Sequence, residues 1–234
     1  MLTTLAIVGR GRLGRTLSSA LAEAGFAASG PHPRGFDGAG ADAVLLCVPD
    51  AEIATAAAAI TPRDGLLVGH CSGATGLDVL APHEAFGLHP LMTVTVAGAS
   101  FTGAGCATAG SSERALAYAR ELATALGLRP VAVAGVDRAA YHAAAAMASN
   151  YLVALECAAE RLAATAGVTR ADLAPLVRAS ADNWAREGAA ALTGPIARGD
   201  EATVAAHREA IAERTPDLLE LYDALAGATR KVAA

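Results

Sequence analysis

Three glycines near the N-terminus have the spacing of a dinucleotide-binding loop. Gly9, Gly11 and Gly14 stand in the sequence GRGRLG, directly after an apolar run and before a helical pattern. The first glycine permits a tight turn, the second lets the backbone approach a pyrophosphate, and the third lets the helix pack on the strand. The N-terminus of that helix favours the anion. The predicted cofactor contacts are Gly9, Arg10, Gly11, Arg12, Leu13, Gly14, Arg34, Val48 and Pro49.

The charge around this loop favours NADP over NAD. About 20 residues after the glycines, where an acid would hold the ribose of NAD, the chain has the sequence SGPHPR. Arg12 and Arg34 add positive charge that suits a 2′-phosphate, although Asp37 could also reach the ribose. NADP is therefore the expected cofactor, and NAD is the less favoured one.

Three histidines could supply acid–base chemistry if the fold brings them to one cleft. His70 and His89 follow apolar runs of strand length, and His142 stands early in a long helical pattern. At about 100° per residue, Ser149 and Asn150 share one broad helical face with His142. Imidazole titrates near neutral pH, so His142 and His89 are the predicted proton donors, with Asn150 as the third predicted catalytic residue. The alternative is that this alanine-rich face only packs against another helix.

Other polar residues are candidates for holding a substrate. The turn-rich segment ALTGPIARGD carries Thr193 and Arg198, and a guanidinium can pair with a substrate carboxylate. The same segment can also be a rigid loop. The predicted substrate-binding residues are Ser72, Ser149, Thr193 and Arg198.

Metal and hydrolase sites are not favoured. The sequence has no HExxH or HxxxH pair, and its four cysteines form no CxxC pair, so no metal site is predicted. Ser72 lacks the GxSxG pattern of a nucleophile elbow. A hydrolase is therefore a distant choice.

The composition describes a folded chain without a nucleic-acid or membrane partner. Of 234 residues, 53% are hydrophobic and 18% are charged, and the formal net charge is −5. Only one of the 18 basic residues is a lysine, Lys231, and the arginines form no continuous stripe. The longest charge-free helical run, 139–155, is too short to cross a bilayer. Because the N-terminus has no basic leader and the cysteines form no disulfide framework, we expect a cytoplasmic protein.

The pattern along the chain predicts two domains. Alternating strand-length and helical stretches predict a Rossmann-like α/β domain with a parallel sheet over residues 1–135, and the remainder, 136–234, is expected to be all-α. The second strand of the α/β domain is expected to end before Pro31, and residues 35–40 are expected to form a loop. The expected strands are 5–8, 26–29, 43–48, 66–69, 87–89, 105–109 and 131–134, and the expected helix caps are Asp50, Ser111 or Ser112, Thr169 with Asp172, Asp200 and Thr215.

Five segments together resemble a known group of proteins. GRGRLG, HCSGATGLDVL, GLHP, YHAAAAMASNYL and ALTGPIARGD look like the uncharacterised Rossmann-like oxidoreductases of the 6-phosphogluconate-dehydrogenase-like superfamily, which carry a helical C-terminal domain of unknown function. The first half is also similar to the nucleotide domains of pyrroline-5-carboxylate reductase and deazaflavin-dependent NADP reductases. The resemblance spans nearly the whole chain. It implies an NADP(H)-dependent dehydrogenase or reductase for a small carbonyl, hydroxy acid or imine, and a homodimer formed through the helical domain.

One position departs from the hydroxyacid dehydrogenases of that superfamily. They place a catalytic lysine four residues before an asparagine, whereas Ala146 stands four residues before Asn150 here, and the only lysine is Lys231 in the tail. His89, whose HP context resembles the catalytic region of prephenate dehydrogenases, and His142 are the expected substitutes. The missing lysine also motivates an alternative, a nucleotide-binding regulator without turnover.

Overall fold

The first half of the chain folds into one seven-stranded sheet, and the computed structural model describes residues 4–234. The strands are β1 (Thr4–Val8), β2 (Ala27–His32), β3 (Ala43–Leu46), β4 (Leu67–His70), β5 (Glu84–Pro90), β6 (Gly105–Gly110) and β7 (Arg129–Ala132). They lie in the order β2-β1-β3-β4-β5-β6-β7. The helices beside them are α1 (Arg12–Glu23), α2 (Ile53–Ala58) and α3 (Glu113–Ala125). This is the predicted Rossmann-like α/β class. The carboxyl ends of β1, β3, β4 and β5 lie side by side, at the end of the sheet where open α/β sheets bind ligands.

The sheet buries apolar side chains on both faces. On one face Phe86 of β5 meets Tyr118 of α3 edge to face, with 5.4 Å between ring centroids. A Cβ on Gly69 would lie 2.5 Å from the ring of Phe86, so the absence of a side chain there makes room for Phe86. On the opposite face Val44 and Ile53 belong to a second buried cluster. The two layers fix β4 and β5 rigidly, and these strands carry His70 and His89.

One strand pair contradicts the prediction of an all-parallel sheet. β5 and β6 are antiparallel, with His89 opposite Ala107, whereas the other neighbouring strands are parallel. A parallel connection needs a crossover of a dozen or more residues, usually a helix. The segment 91–104 contains no helix, so the chain reverses direction after β5.

The second strand is longer than predicted. β2 continues through Pro31 to His32, because it is the edge strand of the sheet and a proline at an edge can leave the ladder hydrogen bonds intact. The connection from β2 to β3 contains no helix, which confirms the loop expected over 35–40.

The second half is helical, as predicted. The helices are α4 (Arg138–Ala146), α5 (Leu152–Ala164), α6 (Arg170–Glu187), α7 (Glu201–Arg214) and α8 (Leu219–Ala233). A π-helix, Met147–Tyr151, joins α4 to α5. The regular helix expected over 137–166 is therefore interrupted, and such π segments occur frequently at functional sites.

The expected helix caps have mixed outcomes. Ser112 and Asp200 cap α3 and α7 by accepting hydrogen bonds from Ala115 N and Thr203 N, and Asp172 accepts one from Thr169 N at 2.9 Å. Thr215 stands at the N-cap position with Pro216 as the first helical residue, as predicted, but within residues 4–234 its buried hydroxyl makes no capping hydrogen bond and has no partner.

Asp50 does not cap α2 either. A 3₁₀ turn, Asp50–Glu52, precedes α2, and the Asp50 carboxylate instead accepts a hydrogen bond from the hydroxyl of Ser72 at 2.8 Å.

By its internal contacts the chain divides into two compact units, one ending at Ser149 and the other spanning Asn150–Ala234. The change from α/β to purely helical structure occurs near residue 135, but α4 belongs to the first unit. Along the described chain, 4–234, no helix is both long and apolar enough to cross a membrane.

Candidate active site

The glycine loop between β1 and α1 forms an open cradle. Gly9 has a φ of +116°, and a Cβ there would lie 2.2 Å from the carbonyl oxygen of Cys47. A Cβ on Gly14 would lie 1.9 Å from the carbonyl oxygen of Gly9. A Cβ on Gly11, in contrast, would meet nothing within 4 Å, and Gly11 is the N-cap of α1 without a side-chain hydrogen bond at the cap. Two glycines therefore close the turn, and the third leaves space at a helix N-terminus that suits a phosphate.

The surroundings of this cradle are rich in arginine. A cleft of about 1120 Å³ adjoins the loop, and Arg10, Gly11 and Arg12 line it together with residues of α1 and the segment 95–102. Arg34 pairs with Glu52 at 3.1 Å, and both side chains are about half exposed. Such an exposed pair is weak, so Arg34 can exchange Glu52 for a phosphate.

Two other predictions about this region concern residues on either side of the cradle. The Asp37 carboxylate accepts a hydrogen bond from Ala39 N within its own turn at 2.9 Å, which favours a local structural role. Val48 and Pro49 follow β3 directly, and Val48 packs toward Gly9.

The loop after β4 is held by His70 and Ser72. The ring Nδ1 of His70 accepts a hydrogen bond from Ser72 N at 3.1 Å, so Nε2 carries the hydrogen and donates to the carbonyl of Gly76. The Ser72 hydroxyl donates to Asp50 and accepts from Thr75 N at 2.9 Å. Burial lowers the pKa of His70, which keeps it neutral. His70 and Ser72 therefore hold the loop, and the substrate-binding role of Ser72 stays a prediction.

His89, Tyr141 and His142 form a cluster beside this loop. The Nδ1 of His89 and the hydroxyl of Tyr141 are hydrogen-bonded at 2.7 Å. The rings of His89 and His142 lie 6.2 Å apart between centroids. A Cβ on Gly73 would lie 2.8 Å from the ring of His89, so the loop after β4 packs closely against it. Two of the three histidines singled out in the sequence thus meet, and a tyrosine joins them.

Burial argues against His89 as the proton donor, and its predicted catalytic role stays a prediction. Burial, together with the charge of His142, lowers the pKa of His89 to about 4. The imidazole is therefore neutral at neutral pH and has no extra proton to give. Burial raises the pKa of Tyr141 to about 12, so its hydroxyl stays protonated and can donate.

The lowered pKa of His89 can be measured directly by titration. We expect the ring proton resonances of His89 to stay unchanged between pH 8 and 5 and to titrate with a midpoint near 4 in NMR spectra, with a His89→Gln variant identifying them. Because the unfolded imidazole protonates near 6.5, His89 stabilises the fold above that pH and loses this contribution as the pH falls toward 4. A midpoint near 6.5 would contradict the burial argument.

The family of the chain follows from its sequence match. A family model for a domain of unknown function, DUF2520, matches residues 104–229, and a model for a Rossmann-like domain matches residues 36–95. The first match covers more than half of the 234 residues. The chain belongs to the DUF2520 family. A comparison with curated proteins finds no match.

Several solved structures share the fold of this DUF2520 member. A Bacteroides fragilis protein provisionally assigned as an NADP oxidoreductase is 20% identical, with a TM-score of 0.83 and 98% of each chain covered. A Thermotoga maritima protein is 24% identical, with a TM-score of 0.78 and 98% of each chain covered. An Aspergillus terreus reductive aminase, solved with NADPH and ethyl levulinate, is 16% identical, with a TM-score of 0.70; 99% of this chain and 93% of that chain are covered. At these identities the likeness establishes the fold.

The DUF2520 chain does not place every predicted site residue in one compact unit. Asn150, Thr193 and Arg198 belong to the unit Asn150–Ala234, whereas the histidine cluster belongs to the first unit. Ser149 and Asn150 lie in the π-helix, where the α-helical angle used to group them with His142 no longer holds. Their roles stay predictions.

Tyr141 of the cluster and Arg138 are not among the site residues predicted from the sequence of this DUF2520 protein. Tyr141 stands next to His142, and Arg138 lies one turn earlier on α4. The spacing of Arg138, Tyr141 and His142 at positions i, i+3 and i+4 was the available signal, because residues so spaced share one helical face.

Proposed function

We propose that this DUF2520 protein is an NADP(H)-dependent oxidoreductase that acts on a small carbonyl, hydroxy acid or imine. The observation that carries the proposal is a phosphate cradle and a proton-donating cluster on one sheet edge. The cradle is centred on Gly11, and the cluster is His89, Tyr141 and His142, on and beside β5. In open α/β sheets the ends of the strands are the usual place for such chemistry.

The residues of the cradle fit the phosphates of a dinucleotide. Gly9, Gly11 and Gly14 would admit the pyrophosphate to the N-terminus of α1, and Arg12 and Arg34 would hold a 2′-phosphate, which favours NADP over NAD. A bound NADPH supplies the hydride for reduction of a carbonyl or imine carbon.

Tyr141 is the proton donor that the geometry favours. With the hydrogen of His89 on Nδ1, the imidazole donates to the oxygen of Tyr141 across the 2.7 Å contact and leaves the phenolic hydrogen free for the substrate. Tyr141 would give this proton to the carbonyl oxygen or imine nitrogen of the substrate, and the same hydrogen bond would stabilise the tyrosinate until solvent returns a proton. His142 is the second candidate donor.

Other predicted residues keep proposed roles around the substrate. Asn150, Ser149, Thr193 and Arg198 would contact it, and Ser72 would act indirectly by holding the loop after β4.

A second copy of the chain is the partner that we propose. Helices α5 and α6 bury no residue within the chain, and α6 exposes 67% of Trp184 and 65% of Leu176. Exposed apolar patches mark interaction sites, and most soluble oligomers pair identical surfaces. We expect light scattering to give the mass of a dimer at micromolar concentration and Trp184→Arg to shift it toward the monomer. A wild-type monomer would contradict this proposal.

The proposed function is tested by titrating the purified protein with NADPH and NADH in parallel by calorimetry. Binding with NADPH preferred, followed by oxidation of NADPH in the presence of a carbonyl or imine, supports the oxidoreductase. Tight NADPH binding without oxidation across a broad substrate panel favours the regulator suggested by the missing lysine. Absence of binding to either nucleotide overturns both.

A further inference from the structure

Arg138 lies on the same sheet face as the histidine cluster. It is the first residue of α4 and is half-buried, and its Nη2 is 3.6 Å from the position of a Cβ on Gly87. Gly87 and His89 are two residues apart on β5, so they point to the same face of the sheet. In the parallel register His70 of β4 is beside Gly87. The guanidinium therefore lies over the strand that carries His89.

This guanidinium has no counter-ion in the described chain. Within residues 4–234 no carboxylate lies within 4 Å of Arg138, whereas seven other arginines form ion pairs. The carboxylate of Asp50, which like Arg138 acts electrostatically on His70 and His89, accepts a hydrogen bond from the hydroxyl of Ser72. Burying part of a cation without a partner costs free energy that a bound anion offsets. The position is therefore open to an anion that residues 4–234 do not supply.

The distances along α4 connect this cation with the proposed proton donor. Arg138 and Tyr141 are three residues apart, so their Cβ atoms lie about 5–6 Å from each other on one helical face. The guanidinium of Arg138 lies near Gly87, and the hydroxyl of Tyr141 is hydrogen-bonded to His89. Gly87 and His89 are two residues apart on the same face of β5. A single small molecule can thus place an anionic group on Arg138 and its reacting oxygen or nitrogen at Tyr141.

We propose that Arg138 anchors the carboxylate of the substrate and that the substrates are 2-oxo acids or the corresponding 2-imino acids. A guanidinium presents a planar pair of donors that matches a carboxylate, and in these acids the carboxylate is bonded directly to the reacting carbon. This inference rests on the proposed function and narrows it. Reduction places the hydride on C2 and the proton on its oxygen or nitrogen, and yields a 2-hydroxy or 2-amino acid.

The test compares acids with neutral analogues of the same shape. Glyoxylate, pyruvate, 3-methyl-2-oxobutanoate and phenylpyruvate, each beside its amide, are titrated into the protein with and without saturating NADP⁺, with binding followed by NMR. We expect at least one acid to bind about 10- to 100-fold more tightly than its amide, as for a charge-assisted hydrogen-bonded pair. Arg138→Gln is expected to remove this preference, and Arg138→Lys to keep part of it.

Two controls separate the possible failures. Arg120→Gln removes a guanidinium from an exposed position of α3 and should leave the preference unchanged, and an unaltered NADPH affinity shows that Arg138→Gln is folded. Acids that bind no better than amides, or a preference that survives Arg138→Gln, overturn the carboxylate anchor. Absence of NADPH binding by the wild-type protein instead overturns the proposed function, and the titrations without cofactor still report on Arg138.

Discussion

Replacing Gly11 with aspartate is expected to lower the affinity for NADPH at least about 100-fold, which is roughly 2.7 kcal/mol, while the protein stays folded. The N-cap φ of Gly11 is −72°, and a Cβ there meets no atom within 4 Å, so the backbone tolerates a side chain. The carboxylate would occupy the space at the N-terminus of α1 where the pyrophosphate should lie. It would then both block the phosphate and repel its charge.

The measurement is a calorimetric titration of NADPH into wild-type protein, Gly11→Asp and Ala117→Asp. Ala117→Asp adds the same charge at an exposed position of α3 and should bind NADPH as the wild type does. Thermal unfolding of all three proteins checks that they are folded. Wild-type affinity in Gly11→Asp would place the nucleotide elsewhere.

The glycine loop was predictable from sequence because its function depends on local geometry. Gly9 needs a positive φ, and both Gly9 and Gly14 face backbone atoms at distances that exclude any side chain. Because these positions require glycine, the glycines stand at a fixed spacing that can be recognised in the sequence. The same holds for the cap Ser112 and for the alternation of strands and helices in the first half.

The antiparallel direction of β6, which differs from the predicted parallel sheet, also has a signal in the sequence. A strand-to-strand connection without a helix argues for an antiparallel pair, and 91–104 has no helical pattern. Pro31 does not mark the end of β2, because a proline on an edge strand need not terminate it.

The proton chemistry could not be predicted from residue types alone. Histidine ordinarily titrates near 6.5, but the pKa of His89 is lowered to about 4 by burial, and burial results from packing among segments distant in sequence. Tyr141 is 52 residues from His89 along the chain, so their hydrogen bond leaves no local signal. The sequence therefore points to the histidines, whereas their surroundings depend on the fold.

Replacing Tyr141 with phenylalanine is expected to lower kcat about 100-fold or more with little change in NADPH affinity. The variant removes one hydroxyl, and general acids of this kind typically contribute 10²- to 10⁴-fold to the rate. The rate of NADPH oxidation is measured with whichever carbonyl or imine compound the wild type reduces. The helical half offers a matched control, because His207 and Tyr222 form a similar pair with 3.1 Å between Nδ1 and the hydroxyl. Tyr222→Phe should retain the wild-type rate.

The pH dependence of kcat distinguishes Tyr141 from His142 as the donor. A tyrosine whose pKa is raised to about 12 stays protonated across neutral and mildly alkaline pH, so kcat should not fall between pH 7 and 9 through loss of the acid. A rate that depended on a protonated imidazole would instead fall about tenfold for each pH unit once that imidazole loses its proton. A flat alkaline limb that drops uniformly in Tyr141→Phe supports the tyrosine. A falling limb that His142→Gln abolishes would transfer the role to His142.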